Sequence, residues 1–311
     1  MPTAPLEEFI PRTIHPEAKK LLDHFSSLIE EVVNYSSHVS RWCAEKTTKG
    51  DENAVAFLMY RNIFEIIDAI SVLVRYSCVE PCKLFLRSLF ESFLNFNYLL
   101  EKDFKSRGMD FLVCYRHKEI NSLKRFDPKD PLFIEYQKKK ARDIISRDIP
   151  QKPVPDIEER LESINKIFEL PSYKESSIEY ERYMSEHKGK PPKNWYSIRN
   201  GPNDVYHLAD YLEFPAQYEI LYRPWSELVH GTDIINEKLS IVEPGVAAFS
   251  QFRFPSAAPF VTLMAITFGL SAIRIMSHLY VPEKMKENAD WYHREIEDSY
   301  LQLNKIKIVA V

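Results

Sequence analysis

Along most of the chain, apolar residues recur at intervals of three and four. This is the period of a helix that buries one stripe. Leu21, Leu22, Phe25, Leu28, Ile29, Val32 and Val33 trace it first, and Pro16 suits an opening turn, so a long helix is predicted from Pro16 to about Lys46. A turn at Thr47–Asp51 follows, with Asp51 as the cap of a second helix running from Glu52 to about Val79. Pro81 cannot sit inside a helix without removing a backbone hydrogen bond, so a third helix begins near it and runs to Glu101. That helix is apolar almost all round and is expected at the centre. A fourth spans roughly Ser106 to Arg125.

The pattern then changes. Asp127-Pro128 and Asp130-Pro131 mark a turn, and Pro150, Pro153 and Pro155 separate a basic block from an acidic one. Lys188–Asn203 reads as a loop pinned by Trp195 and Tyr196, and Asn203 or Asp204 caps a short helix to about Leu212. Pro215 opens a helix carrying Tyr218 to His230, bent by Pro224 and ended by Gly231. Glu237–Pro255, richer in β-branched and aromatic residues around Pro244-Gly245, predicts a small hairpin or extended lid. Two helices, Ser256–Tyr280 and Pro282–Lys307, close the chain. The expected fold is all-α: a multi-helix bundle with a long central helix pair and a proline-marked charged helical excursion. Residues 1–126 supply the N-terminal helices, 127–194 the excursion, and 195–311 the helices that complete the bundle.

Composition narrows the chemistry. With 45% hydrophobic and 28% charged residues the 311-residue chain is an ordered globular protein. Only 7 glycines stand against 20 prolines, which argues against nucleotide folds built on glycine-rich loops. A net charge of −4 gives no whole-protein pull toward nucleic acid or membrane. Cys43, Cys78, Cys82 and Cys114 lack the spacing of a zinc or redox pair and read as buried free thiols of a reducing compartment. The first residues lack a signal peptide's basic start and apolar middle. The apolar run Phe260–Tyr280 contains Arg274 and His278 and reads as a buried core helix rather than a membrane span, with His278 a satisfied core histidine. A cytoplasmic protein without membrane partners is expected.

The densest group of reactive side chains lies between Tyr218 and Gly231. At 100° per residue Arg223 and His230 fall within roughly 20° of one another on a helix, and Ser226 within about 40° of His230. An imidazole there could move the proton of a ribose hydroxyl while a guanidinium holds charge gathering on a phosphate, with no metal and no cofactor. Arg87 and Glu91, one turn apart on the apolar third helix, should be substantially buried and could orient His230 or lock two helices together. Glu227-Leu-Val-His230 is also a Glu-x-x-His unit of the di-iron kind. Its complement would have to come from Asp204-x-x-His207 or Asp290-x-x-His293, with Glu65 and Glu91. Arg116 and His117, beside the basic block, are candidate phosphate contacts, and Tyr222 and Trp195 candidate substrate contacts. Exposed helix faces and a structural network explain the same residues without function.

Two resemblances add to this. Arg87-Ser-Leu-Phe-Glu91 on an apolar helix, then Trp195, then Tyr218, Tyr222 and Ser226-x-x-x-His230-Gly231, resemble the bacterial domain-of-unknown-function family 5677 over about Asn53 to Gly231. The resemblance implies an all-helical fold and marks Arg87, Glu91, Ser226 and His230 as pattern positions without roles. The Arg223…His230 spacing is similar to the R-x4-6-H pattern of HEPN-type helical ribonucleases, although Pro224 stands where that family has a small polar residue. That likeness implies a metal-independent endoribonuclease or RNA-binding effector, in a toxin or defence role and working as a homodimer. The alternatives are a non-catalytic helical interaction module and a di-metal carboxylate protein.

Overall fold

The computed structural model describes residues 4–7, 9–47, 50–150, 154–229, 239–243, 246–249, 251–306 and 308. The chain is all-α apart from one two-stranded hairpin, and it divides into two compact units, residues 1–101 with 205–311 and residues 102–204.

Four long helices build the core of the first unit: α1 (Pro16–Lys46), α2 (Asp51–Arg75), α3 (Val79–Glu101) and α11 (Ala258–Tyr280). α1 begins and ends where its stripe and Pro16 predict. α2 starts one residue earlier than expected. Gly50 is its N-cap, and Asp51 stands inside the first turn, where a carboxylate still meets the positive helix end. Pro81 lies in the first turn of α3, where no intrahelical partner for its absent N–H is needed. α11 packs against α1, α2 and α3 together. It alone among the described helices is long and apolar enough to cross a membrane, and 56% of its most apolar window is buried in the protein.

The interior shows why these helices associate. α1 and α2 pack on one another, and Phe25, Ile29 and Val32 of the first and Ile63, Ile67 and Ile70 of the second are all fully buried. Phe268 of α11 lies against Phe90 and Phe93 of α3, with ring centroids 5.9 and 5.1 Å apart. Each such side chain contributes roughly 1.5–3 kcal/mol by leaving water. A continuous helical run from Met285 to Gln302 comprises α12 (Met285–Trp291), a π turn at Tyr292–Ile296 and α13 (Glu297–Gln302). The Trp291 ring stacks on Tyr35 at 3.8 Å, its Nε1 donates to Glu31, and the Tyr35 hydroxyl donates to Asn288.

Residues 215–229 form a second helical run: α9 (Pro215–Gln217), a π turn at Tyr218–Tyr222 and α10 (Arg223–Val229). Pro224 dictates this. Its ring would press on the carbonyl four residues back in a regular α-helix. Widening the preceding turn, with the Arg223 N–H reaching Tyr218 O, gives the ring room. The short α8 (Val205–Tyr211) precedes the run. After it, β1 (Leu239–Glu243) and β2 (Val246–Phe249) pair antiparallel within the stretch predicted as a hairpin.

The second unit is built on α4 (Phe104–Lys124), which packs with α5 (Pro131–Arg142), α6 (Ile157–Phe168), α7 (Pro171–Glu186) and the short turn Trp195–Ser197. Asp130 caps α5 by accepting the Leu132 N–H at 2.9 Å, so the Asp-Pro turn passes directly into a helix. The proline-marked charged stretch 127–194 falls inside this unit.

Cys43, Cys82 and Cys114 are buried and Cys78 half-buried; all four are free thiols. Burial pushes the first three up to about 12, so they stay protonated and inert.

Gly269 sets how closely α11 approaches its neighbours. A Cβ there would lie 2.8 Å from Val32 Cγ1 and 3.3 Å from Ile67 Cδ1. Gly269→Ala is expected to destabilise the protein by about 1–2 kcal/mol despite alanine's better helix propensity. Combining it with Val32→Ala should recover part of that loss, so a double-mutant cycle by urea unfolding should show a clear favourable coupling. Strict additivity would mean that the helices do not meet at this point.

Candidate functional site

α3 and the run from α9 to α10 pack on one another in the first unit, and this brings together two of the residues singled out in the sequence. The Arg87 guanidinium carbon sits 4.2 Å from the centre of the Tyr222 ring, a cation–π contact. Arg87 and Glu91 are half-buried, less deeply than an apolar helix implies, because their edge of α3 faces the π turn rather than the four-helix core. Arg87 Nε is buried and has no hydrogen-bond partner among the described residues.

The contact continues outward as a row of tyrosines. Tyr222 stacks on Tyr218 at 5.1 Å, and Tyr218 meets the ring of Tyr206 edge-on at 5.3 Å. Tyr206, at the outer end, is 46% exposed. Burial raises the Tyr222 pKa, Glu91 adds to the rise and Arg87 opposes it, so the phenol stays a neutral donor. Tyr206 was not singled out from sequence, and Tyr218 entered only as part of the family pattern, without a role. The π turn carries Tyr218 and Tyr222, and α8 brings Tyr206 to them.

Arg223 follows directly. Its Nη1 donates to Glu219 Oε2 at 2.8 Å, one turn back along the same helix. Its side chain is 67% exposed and the pair faces solvent. Trp225 ties α10 to the start of α11 by an edge contact with Phe260, and Ser226 is half-buried on the same helix. His230 and the side chain of Glu227 lie outside the described residues. Among the described residues no three histidine, cysteine, aspartate or glutamate side chains gather as metal ligands. His293, from one of the Asp-x-x-His units, instead pairs with Glu297 at 2.8 Å.

The other candidates belong to the second unit. Arg116, half-buried, donates to Glu119 at 2.7 Å. The His117 ring stacks on Tyr180 at 3.9 Å and on Phe168 at 4.8 Å, and burial lowers its pKa, holding the imidazole neutral. Trp195 is buried, with an edge contact to Phe111.

Sequence reasoning passed over the most heavily buried charge of this unit. Asp110 of α4 is 3% exposed and accepts from Arg199 Nε at 2.7 Å and Nη2 at 3.3 Å. Arg199 also reaches Glu175 at 2.9 Å. The signal was available: Asp110 shares with Val113, Cys114 and His117 the spacing of a buried stripe. Burial raises the Asp110 pKa and outweighs the lowering by the Arg199 and Ser176 hydrogen bonds, while the same carboxylates hold Arg199 above its ordinary value.

Arg199→Met should therefore cost about 2–3 kcal/mol at neutral pH, because it strands a buried carboxylate. Without the guanidinium the folded-state pKa of Asp110 rises further above its unfolded value. The folded protein then binds the extra proton, and stability falls as pH climbs through that window. Denaturant unfolding should show the variant's deficit shrinking toward pH 4; a deficit independent of pH would assign the loss to packing alone.

No curated protein and no solved structure matches the chain. A family model does, that of the family of unknown function DUF5677, over residues 53–243. The match runs from α2 to β1 and takes in Arg87, Glu91, the tyrosine row, Arg223, Ser226, His230 and the whole second unit. Since it covers more than half of the sequence, the chain belongs to the DUF5677 family.

Proposed function

We propose that the face formed by Arg87, Tyr222, Tyr218 and Tyr206, with Arg223 beside it, binds single-stranded RNA, and that Arg223 and His230 cleave it without a metal. The observation that carries this reading is the tyrosine row ending on a guanidinium, with a second guanidinium exposed next to it. Aromatic rings offer stacking platforms to bases of any kind, and arginines hold phosphates. The Arg223–Glu219 pair is exposed, and pairs of that kind contribute little, so a phosphate can take the carboxylate's place. In this scheme His230 removes the proton of the ribose 2′-hydroxyl. The freed oxygen attacks phosphorus, the P–O5′ bond breaks as the 5′-oxygen takes a proton from water, and a cyclic phosphate and a 5′-hydroxyl end result. Arg223 stabilises the charge on the phosphoryl oxygens. The likeness to HEPN-type enzymes carries with it a homodimer in which two such faces meet.

A fluorescent oligoribonucleotide incubated with the protein in EDTA should be cut, with cyclic phosphate ends seen by mass spectrometry. His230→Ala and Arg223→Ala should each lower the rate by about 100-fold or more, with melting temperatures within a few degrees of the parent. Retardation of the oligonucleotide without cutting supports the binding effector and removes the enzyme. Neither binding nor cutting removes both.

A second reading, a non-catalytic interaction module, is favoured by the half-buried Arg87 pinning Tyr222. There Arg87, Glu91, Ser226 and His230 hold two helices together. His230→Ala would then lower stability by about 1–3 kcal/mol with no RNA-dependent activity to lose.

A further inference from the structure

A cleft of about 510 Å³ opens in the first unit between α3 and α11, lined by none of the tyrosines of the row. Its base is aromatic: Phe93 is buried and meets the edge of Phe214 with centroids 5.5 Å apart. Ile275 and Leu279 of α11 continue the apolar lining. The polar groups are few. α11 presents Arg274 and His278, one turn apart on one stripe, and α3 presents Asn97 and Glu101 at the same spacing. Volume and lining match those of small-molecule sites, which are mostly apolar with a few placed polar groups.

The charges decide what fits. Glu101 is engaged, since its Oε2 accepts the Tyr211 hydroxyl at 3.1 Å. Arg274 is exposed and makes neither hydrogen bond nor ion pair among the described residues. Arg75, Arg116, Arg223 and Arg294 each hold a carboxylate. His278, expected in the core, is exposed at the cleft instead. A cation in the last turn of a helix also answers the negative helix end, and His278 stands there. Arg274, six residues before the end of α11, lies beyond the reach of that effect. An unpaired guanidinium lining one cleft with aromatic and aliphatic side chains is complementary to an anion with an apolar body.

We propose that this cleft binds a small amphipathic anion. Arg274 and His278 hold its carboxylate or phosphate ester, and Phe93, Phe214 and Ile275 receive its aromatic or branched aliphatic body.

Isothermal titration of the full chain with phenylbutyrate, phenyl phosphate and uncharged phenylbutanol tests this. At least one anion should bind about tenfold more tightly than the alcohol. Which anion it is distinguishes a carboxylate from a phosphate ester as the preferred head. Arg274→Gln should abolish the anion's advantage while leaving the weak binding of the alcohol unchanged, and Ile275→Ser should weaken all three. His278→Gln provides a second reading of the head-group contact, with melting temperature confirming that each variant is folded. No binding of either anion at millimolar concentration overturns the proposal. So does equal affinity for anion and alcohol, or anion binding that survives both Arg274→Gln and His278→Gln.

Discussion

Seating α11 among α1, α2 and α3 is the constraint on which the first unit depends. This helix carries the highest density of apolar side chains among the long helices, and it must be covered on three sides. Glycine at position 269 lets α11 come within contact of Val32 and Ile67. Phe268, next in sequence, then reaches Phe90 and Phe93 on the opposite neighbour. One small residue beside one large one thus fixes both the separation of α11 from α1 and its contact with α3.

α3 follows from that arrangement. One side of it is committed to the core through Leu86, Leu89, Phe90 and Phe93. Arg87 and Glu91 occupy a different edge, where α3 meets the run from α9 to α10. Asn97 and Glu101 continue the stripe of Phe93 toward the end of the helix, where it lines the cleft beside α11. A helix apolar almost all round can bear charges only where its neighbours leave gaps. At one such gap the Arg87 guanidinium stands over the Tyr222 ring.

The long helices α1, α2, α3 and α11 were legible because each buries apolar residues over six turns or more, and the prolines at 16 and 215 fall in opening turns as read. The family resemblance was legible too, since it rests on residues kept in order along the chain. The site was legible only in part. Arg87 and Tyr222, 135 residues apart, were both singled out, but nothing in either segment says that they touch. Tyr206, on the separate helix α8, was missed because nothing in its segment says that it meets Tyr218. Tyr218 was quoted only as part of the family pattern, and its place in a π turn is hinted at only by the clash at Pro224. Asp110 was missed for the opposite reason. A lone carboxylate within an apolar stripe looks like an exposed exception until its partner, Arg199, is known.

The two arginine–carboxylate pairs show how position decides what a charge does. Asp110–Arg199 is held by two hydrogen bonds around a carboxylate sealed from water, so removing Arg199 leaves that buried carboxylate without its counter-charge. Such a pair orders the second unit and has no freedom to exchange partners. Arg223–Glu219 has comparable length, 2.8 Å against 2.7 Å, yet both its side chains face solvent. Water and salt screen it, and either group can leave the pair at little cost. Distance alone would rank the two as equals. Solvent access separates a pair that maintains structure from a guanidinium free to meet an incoming anion, and it is this freedom, more than the presence of arginine, that makes α10 a candidate site.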